Sequence, residues 1–188
     1  HTVILPTGGI HITNDLAVGL RTPFNAAEEM KVMYGHADPN QIADTELIDV
    51  AAFGEEGRRT VSRQDIAEII GARVDEMCQM ILTEVKRSGY DSLLPAGVVL
   101  CGGTADLAGI KAVAREVFQM PVRVGTPRDL EGFTDRVSAP AFATSVGLLR
   151  WGAQQAQINL TNAPPRNGHN KSNPLGRLFG WTKHLLPE

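Results

Sequence analysis

Aromatic side chains are scarce in this sequence, at 5% of 188 residues, so aliphatic residues must build most of any core. Cysteine is nearly missing. Cys78 and Cys101 are the only two, too few for a disulfide framework, and neither sits in a metal-ligand spacing, which fits a reducing cytosol. The five histidines are scattered. None pairs at i, i+4 with a second ligand, so they read as surface or packing residues. There is no apolar run of about 18 residues and no stretch with signal-peptide character, so nothing reads as a membrane-spanning helix. A positive balance is missing too: the net charge of −3 argues against nucleic acid as the main partner. The chain begins at His1 inside a strand-like run, which reads as a fragment or a processed piece.

What charge there is lies unevenly. The first 149 residues carry thirteen basic side chains against twenty acidic ones, whereas Arg150, Arg166, Lys171, Arg177 and Lys183 face only Glu188 in the remainder. A basic tail on an acidic body points to an appendage with its own task.

The densest signal is Val98 to Ile110. Val98 to Cys101 has the composition of a short buried strand, Gly102 and Gly103 follow, and helical spacing resumes through Leu107, Ile110, Val113, Ala114 and Val117 up to Phe118. Paired glycines between strand and helix leave backbone bare of Cβ atoms, against which a flat ligand can lie, with the helix start as a local positive pole. A tight turn without any ligand is the plainer reading of the glycines alone.

Upstream, Thr2 to Leu5 reads as a short β-run, Gly8-Gly9 as a turn, and Thr13, Asn14 or Asp15 as the cap of a helix over Leu16–Leu20. Asn25 is placed to cap a second helix, Ala26–Tyr34, closed by Gly35. Its Glu28 and Lys31, at i, i+3, taken alone make a surface ion pair worth a few tenths of a kcal/mol, on the order of 0.2–0.5. Residues 46–53 and 59–61 form a candidate hairpin about a Gly54–Gly57 turn. Ser62 caps the longest helix, Arg63–Ser88, whose stripe Ile66, Ile69, Ile70, Val74, Met77, Ile81 and Val85 is a core face, and Gly89 ends it. Val122 to Val124 is a further strand, and a last helix runs from Ala139 to Ala153 with Pro140 in its first turn.

Residues 154–174 are rich in Asn, Gln, Pro and Gly and carry no apolar period, the composition of a disordered linker. In residues 175–188, Leu175, Leu178, Phe179, Leu185 and Leu186 fall on one helical arc with Trp181 at its edge, while Arg177 lies opposite and Lys183 flanks it. This amphipathic segment suits reversible attachment to an anionic membrane surface, or folding back onto the body.

Taken together, residues 3–15 (VILPTGGIHITND), 27–31 (AEEMK), 102–110 (GGTADLAGI), 122–125 (VRVG) and 141–149 (AFATSVGLL) resemble the bacterial cell-division family FtsA, within the actin and heat-shock-70 superfamily. The resemblance implies an α/β, actin-like (ribonuclease H-like) ATPase fold, here its carboxy-terminal lobe with an inserted α/β subdomain and a C-terminal amphipathic helix. It divides the chain into residues 1–11 with 96–153 as lobe core, 12–95 as inserted subdomain, 154–174 as linker and 175–188 as membrane-targeting helix. Glu28 and Lys31 match the family's Glu-x-x-Lys element, which holds ribose and adenine, and Gly102, Gly103 and Thr104 match its adenosine motif. ATP with Mg²⁺ is the implied cofactor of the whole family member. The family's phosphate-binding hairpins and its small assembly domain have no counterpart here, so the stretch is expected not to be an ATPase by itself and to hold nucleotide weakly or not at all. The implied role is an adaptor, not an enzyme, that links the tail of the tubulin-like protein FtsZ to the cytoplasmic face of the inner membrane at the division septum. Arg73 best aligns with an FtsZ-receiving arginine, and Arg63, Arg58 and Arg59 add charge nearby. Self-association into actin-like polymers also follows from the resemblance, and nucleic acid is not an expected partner. The alternatives are a sugar-kinase-like phosphotransferase lobe or a bacterial actin of rod-shape or pilus assembly.

Overall fold

A computed structural model of the chain describes residues 1–52, 58–132 and 135–161. Its contacts divide into two units, residues 1–149 and 150–188. The described part of the second unit is the end of one helix, and the site lies wholly in the first.

The first unit begins with two helices, α1 (Gly9–Gly19) and α2 (Phe24–Tyr34). An antiparallel hairpin follows, β1 (Leu47–Ala51) with β2 (Arg58–Ser62). The long helix α3 (Arg63–Ser88) leads to β3 (Val98–Leu100), and α4 (Ile110–Phe118) crosses to β4 (Val122–Val124), which pairs parallel to β3. A parallel pair needs such a crossover, because a tight turn would reverse the chain. The last helix, α5 (Ala143–Thr161), follows a 3₁₀ turn at Pro140–Phe142.

Helix α3 organises this unit. Ser62 Oγ accepts from the Gln64 N–H at 3.1 Å, which satisfies one of the orphan donors of the first turn. Gly89 closes the helix at φ +74°, a left-handed conformation that glycine adopts without a Cβ clash. Between the caps, Ile66, Ala67, Ile70, Val74 and Cys78 are buried. They meet Ile12 and Leu16 of α1, Val50 and Val61 of the hairpin, and Ile110, Ala114 and Phe118 of α4 in one core. Each fully buried aliphatic side chain of this size contributes about 1.5–3 kcal/mol.

Several expectations are corrected. Thr2 to Leu5 is not a strand: no backbone pairs with it among the described residues, and Val3 and Ile4 are exposed. A β-run becomes a strand only when a neighbour takes its N–H and C=O groups. Helix α1 starts at Gly9, not Leu16, so Gly8-Gly9 is a helix start and not a turn ahead of one. The Gly8 N–H donates to His11 Nδ1 at 3.2 Å, and this contact replaces the cap assigned to Thr13, Asn14 or Asp15. Helix α2 begins one residue before Asn25, with Pro23 at its cap position. Cys101 lies beyond β3 and is exposed, and Val99 is 46% exposed, because a sheet of two strands has one face open here. No α-helix follows the glycine pair directly. A 3₁₀ turn, Gly103–Asp106, intervenes, and α4 begins only after Gly109 at φ +80°, which moves the helical positive pole away from Gly102. Helix α5 continues to Thr161, eight residues past the expected break at Ala153. The Gly54–Gly57 turn, residues 162–174 of the linker and the 175–188 segment lie outside the described residues.

Candidate functional site

Three backbone features converge at the glycine turn. Gly102 sits at φ +96°, ψ 170°, and its N–H donates to the Pro140 carbonyl at 2.9 Å, which pins the turn to the 3₁₀ turn ahead of α5. Buried Ala105 anchors the 3₁₀ turn from below. Beyond it, the Ala37 N–H donates to the Ala108 carbonyl at 2.7 Å, tying the chain after α2 to the chain after the turn. Gly109 makes this approach possible, since a Cβ there would lie 2.6 Å from the His36 ring.

Helix α1 closes the arrangement. Gly9 packs so near Thr104 that a Cβ on Gly9 would lie 2.3 Å from Thr104 Oγ1. The result is a cleft of about 890 Å³ whose lining includes Gly9, Phe24, Glu28, Lys31, Arg63, Gly103 and Thr104. A Cβ added at Gly102 or Gly103 would meet no protein atom within 4 Å. Of the five residues expected at a nucleoside site, Glu28, Lys31, Gly103 and Thr104 border the cleft, and Gly102 sets the turn behind them. A Cβ at Gly102 would project into this open space and would also carry left-handed backbone strain.

Inside the cleft, Lys31 Nζ donates to Glu28 Oε2 at 2.6 Å, to Thr13 Oγ1 at 2.8 Å and to the Gly9 carbonyl at 3.2 Å. Thr13 Oγ1 also donates to Glu28 Oε2. Partial burial pushes the Glu28 carboxyl up, yet the hydrogen bonds from Lys31 and Thr13 and the Lys31 charge outweigh it, leaving the group below its ordinary value. Glu28 Oε1 has no hydrogen-bond partner among the described residues and remains an open acceptor. Thr13 has the chemistry of a helix cap, and no local signal marks this role. Gly9, Phe24 and Asp106 are among the lining residues that sequence reasoning missed, and Gly9 had one signal, its place in the Gly8-Gly9 pair.

The arginines fare differently. Arg63 borders the cleft, its Nε donating to the Tyr34 carbonyl at 3.0 Å and its Nη1 to Glu46 Oε2 at 2.6 Å. That contact is the main cause holding the Glu46 carboxyl below its ordinary value. Arg73 is clamped by both oxygens of Asp15, at 2.5 and 2.8 Å, and by Glu76 at 2.5 Å. The hydrogen bond to Asp15 is the chief cause raising its pKa. Arg58 donates to the Asp49 carbonyl at 3.0 Å and Arg59 to the Leu20 carbonyl at 3.5 Å. Among the described residues no cluster of His, Cys, Asp or Glu is placed to hold a metal ion, and no helix is long and apolar enough to cross a membrane.

The family model for cell division protein FtsA matches residues 1–147. The chain belongs to the FtsA family. The cell division protein FtsA of Pseudomonas aeruginosa is 38% identical over 187 residues, covering 97% of this chain and 45% of that protein. The FtsA of Neisseria meningitidis is 41% identical over 169 residues (89% and 40%), and that of Escherichia coli K12 34% over 190 residues (97% and 45%). The chain thus spans less than half the length of these relatives. Among solved structures, MreB5 of Spiroplasma citri bound to ADP superposes with a TM-score of 0.62 at 13% identity, over 85% of this chain and 48% of that one. The same organism's MreB 5 bound to AMPPNP gives 0.59 at 14%, over 82% and 47%. The architecture is therefore a partial actin-like fold, and the relatives that the chain matches are cell division proteins.

Proposed function

We propose that this stretch is the nucleoside-holding and partner-facing part of an FtsA-type adaptor, which binds an adenine nucleotide and links FtsZ to the membrane. The observation that carries the nucleotide part is the gathering of Glu28 and Lys31 from α2 with Gly103 and Thr104 from the glycine turn around one cleft. The residues fit the group. Bare backbone at Gly102 and Gly103 borders open space that a Cβ would occupy, Phe24 offers an aromatic face, and Glu28 Oε1 is an acceptor for ribose hydroxyls. The nucleotide structures of the MreB relatives support the same reading. A nucleotide supplies a charged phosphate tail whose state a two-lobed protein can sense, while the residues here bind and orient its nucleoside end. Phosphate and Mg²⁺ contacts belong in this reading to the other part of the full-length protein, so the stretch alone is not an ATPase. Residues 12–95 form the inserted subdomain in this reading, and residues 175–188 the membrane helix that places the protein on the cytoplasmic face of the septum. The FtsZ tail docks along α3 near Arg73 and Arg63, where its carboxylates compete with Asp15 and Glu76 for the Arg73 guanidinium.

Calorimetric titration of the full-length protein with ADP tests the nucleotide part. Gly103→Ala is expected to fold normally and bind about tenfold more weakly, a loss of about 1.4 kcal/mol. Unchanged affinity removes the cleft from the proposal.

A further inference from the structure

The Glu28 and Lys31 side chains are not equivalent. A lysine ammonium has three N–H donors, and those of Lys31 have three acceptors within reach: Glu28 Oε2, Thr13 Oγ1 and the Gly9 carbonyl. No donor remains for a ligand. The Lys31 side chain is only 15% exposed, against 44% for Glu28. Thr13 is fully buried on α1, and its hydroxyl accepts a hydrogen bond from Lys31 while donating its own to Glu28. The Gly9 carbonyl, 3.3 Å from the same hydroxyl, is the weaker acceptor.

We infer that Thr13 and Lys31 are positioning residues that lock one oxygen of Glu28 and leave Oε1 as the single acceptor offered to a ligand diol. This assignment rests on the nucleoside reading of the cleft and deepens it. The chemistry follows from geometry. A carboxylate on a two-methylene stem rotates freely unless one oxygen is fixed, and fixing Oε2 from two directions aims the other. Thr13 comes from α1 and Lys31 from α2, so the clamp also registers the two helices that meet at the cleft. Other charged groups near Glu28 are Arg63 from α3 and Asp106 from the 3₁₀ turn, both bordering the same cleft. Neither hydrogen-bonds to Glu28, so Thr13 and Lys31 hold its carboxylate.

The sign of the pH effect is fixed by the same contacts. The Glu28 carboxyl stands below its ordinary value of 4.5 because the hydrogen bonds outweigh its burial. Removing the Thr13 donor while leaving the burial raises it. The clamp is therefore present above the ordinary value and fails as pH falls through the lowered one, and in Thr13→Val it fails at higher pH.

The test uses the full-length protein and three readouts. A carbon-13 NMR titration of the Glu28 carboxyl is expected to show a higher midpoint in Thr13→Val than in the parent, with Thr13→Ser close to the parent. ADP titration is expected to give about tenfold weaker binding in Thr13→Val and recovery in Thr13→Ser, the scale of a hydrogen bond to a charged group. In the parent itself, the Thr13 hydroxyl proton is expected to exchange slowly and to show cross-peaks to the Glu28 and Lys31 side chains, a readout that survives if Thr13→Val does not fold. An unmoved Glu28 midpoint, or a rapidly exchanging hydroxyl, overturns the clamp whatever ADP does. Shifted midpoints with no ADP binding to the parent instead overturn the nucleoside reading, and with it the ligand role of Oε1.

Discussion

Gly89 and Gly97 provide a controlled comparison of backbone strain with backbone collision. Their φ angles are +74° and +75°, so an alanine at either faces the same left-handed penalty of about 1–2 kcal/mol. Their surroundings differ. A Cβ at Gly89 meets nothing within 4 Å, whereas one at Gly97 would lie 1.9 Å from the Pro121 carbonyl oxygen and 2.7 Å from its carbon. Those are backbone atoms just before β4, and that oxygen accepts the Val98 N–H at 2.8 Å, the bond that opens the β3–β4 ladder. Pro121 must move and this bond must lengthen, which adds about 0.5–1.5 kcal/mol for the bond and further loss at buried Val122. Gly97→Ala should therefore cost roughly 2–4 kcal/mol against roughly 1–2 for Gly89→Ala. Urea unfolding of the two variants in the full-length protein, followed by circular dichroism, measures the difference directly. Because β3 feeds the Gly102 turn, Gly97→Ala should also weaken ADP binding, while Gly89→Ala should not. Equal destabilisation by the two variants would refute the collision argument and the placement of Pro121 beside Gly97.

Three further outcomes are expected. Cys101 is exposed and should react promptly with an aromatic disulfide reagent, while Cys78, whose thiol is pushed up to about 11 by burial and by the Asp75 charge, should react only on unfolding; two equally fast thiols would contradict the packing of α3. Arg73→Glu should lose affinity for an FtsZ tail peptide and also stability, since Asp15 and Glu76 then face a third carboxylate; peptide binding at the parent level would move the contact off α3. Full-length protein should pellet with anionic liposomes, less so at high salt, whereas Phe179→Glu or Trp181→Glu should stay in solution; pelleting of both variants at the parent level would remove residues 175–188 from the membrane contact.

The sequence by itself determined what depends on neighbours along the chain. Helix α3 was legible from Ser62 to Gly89 because its cap, its apolar period and its left-handed stop are all local. The hairpin partner, β4 and the Pro140 start were legible for the same reason. The family resemblance carried the two site motifs, Glu28 with Lys31 and Gly102 to Thr104. That they border one cleft was decided by tertiary structure, since α2 and the glycine turn are some seventy residues apart and are brought together by contacts such as Ala37 with Ala108 and His36 with Gly109, with Gly9 of α1 closing on Thr104. Local signals also misled where a distant partner won. Thr13 has the chemistry of a helix cap, but packing buries it against α2, and its hydroxyl turns to Lys31 and Glu28 instead. Arg73 reads as a solvated helix charge until Asp15, fifty-eight residues earlier, arrives from α1. Thr2 to Leu5 has strand composition, yet pairing requires a second backbone, which composition along one segment does not specify.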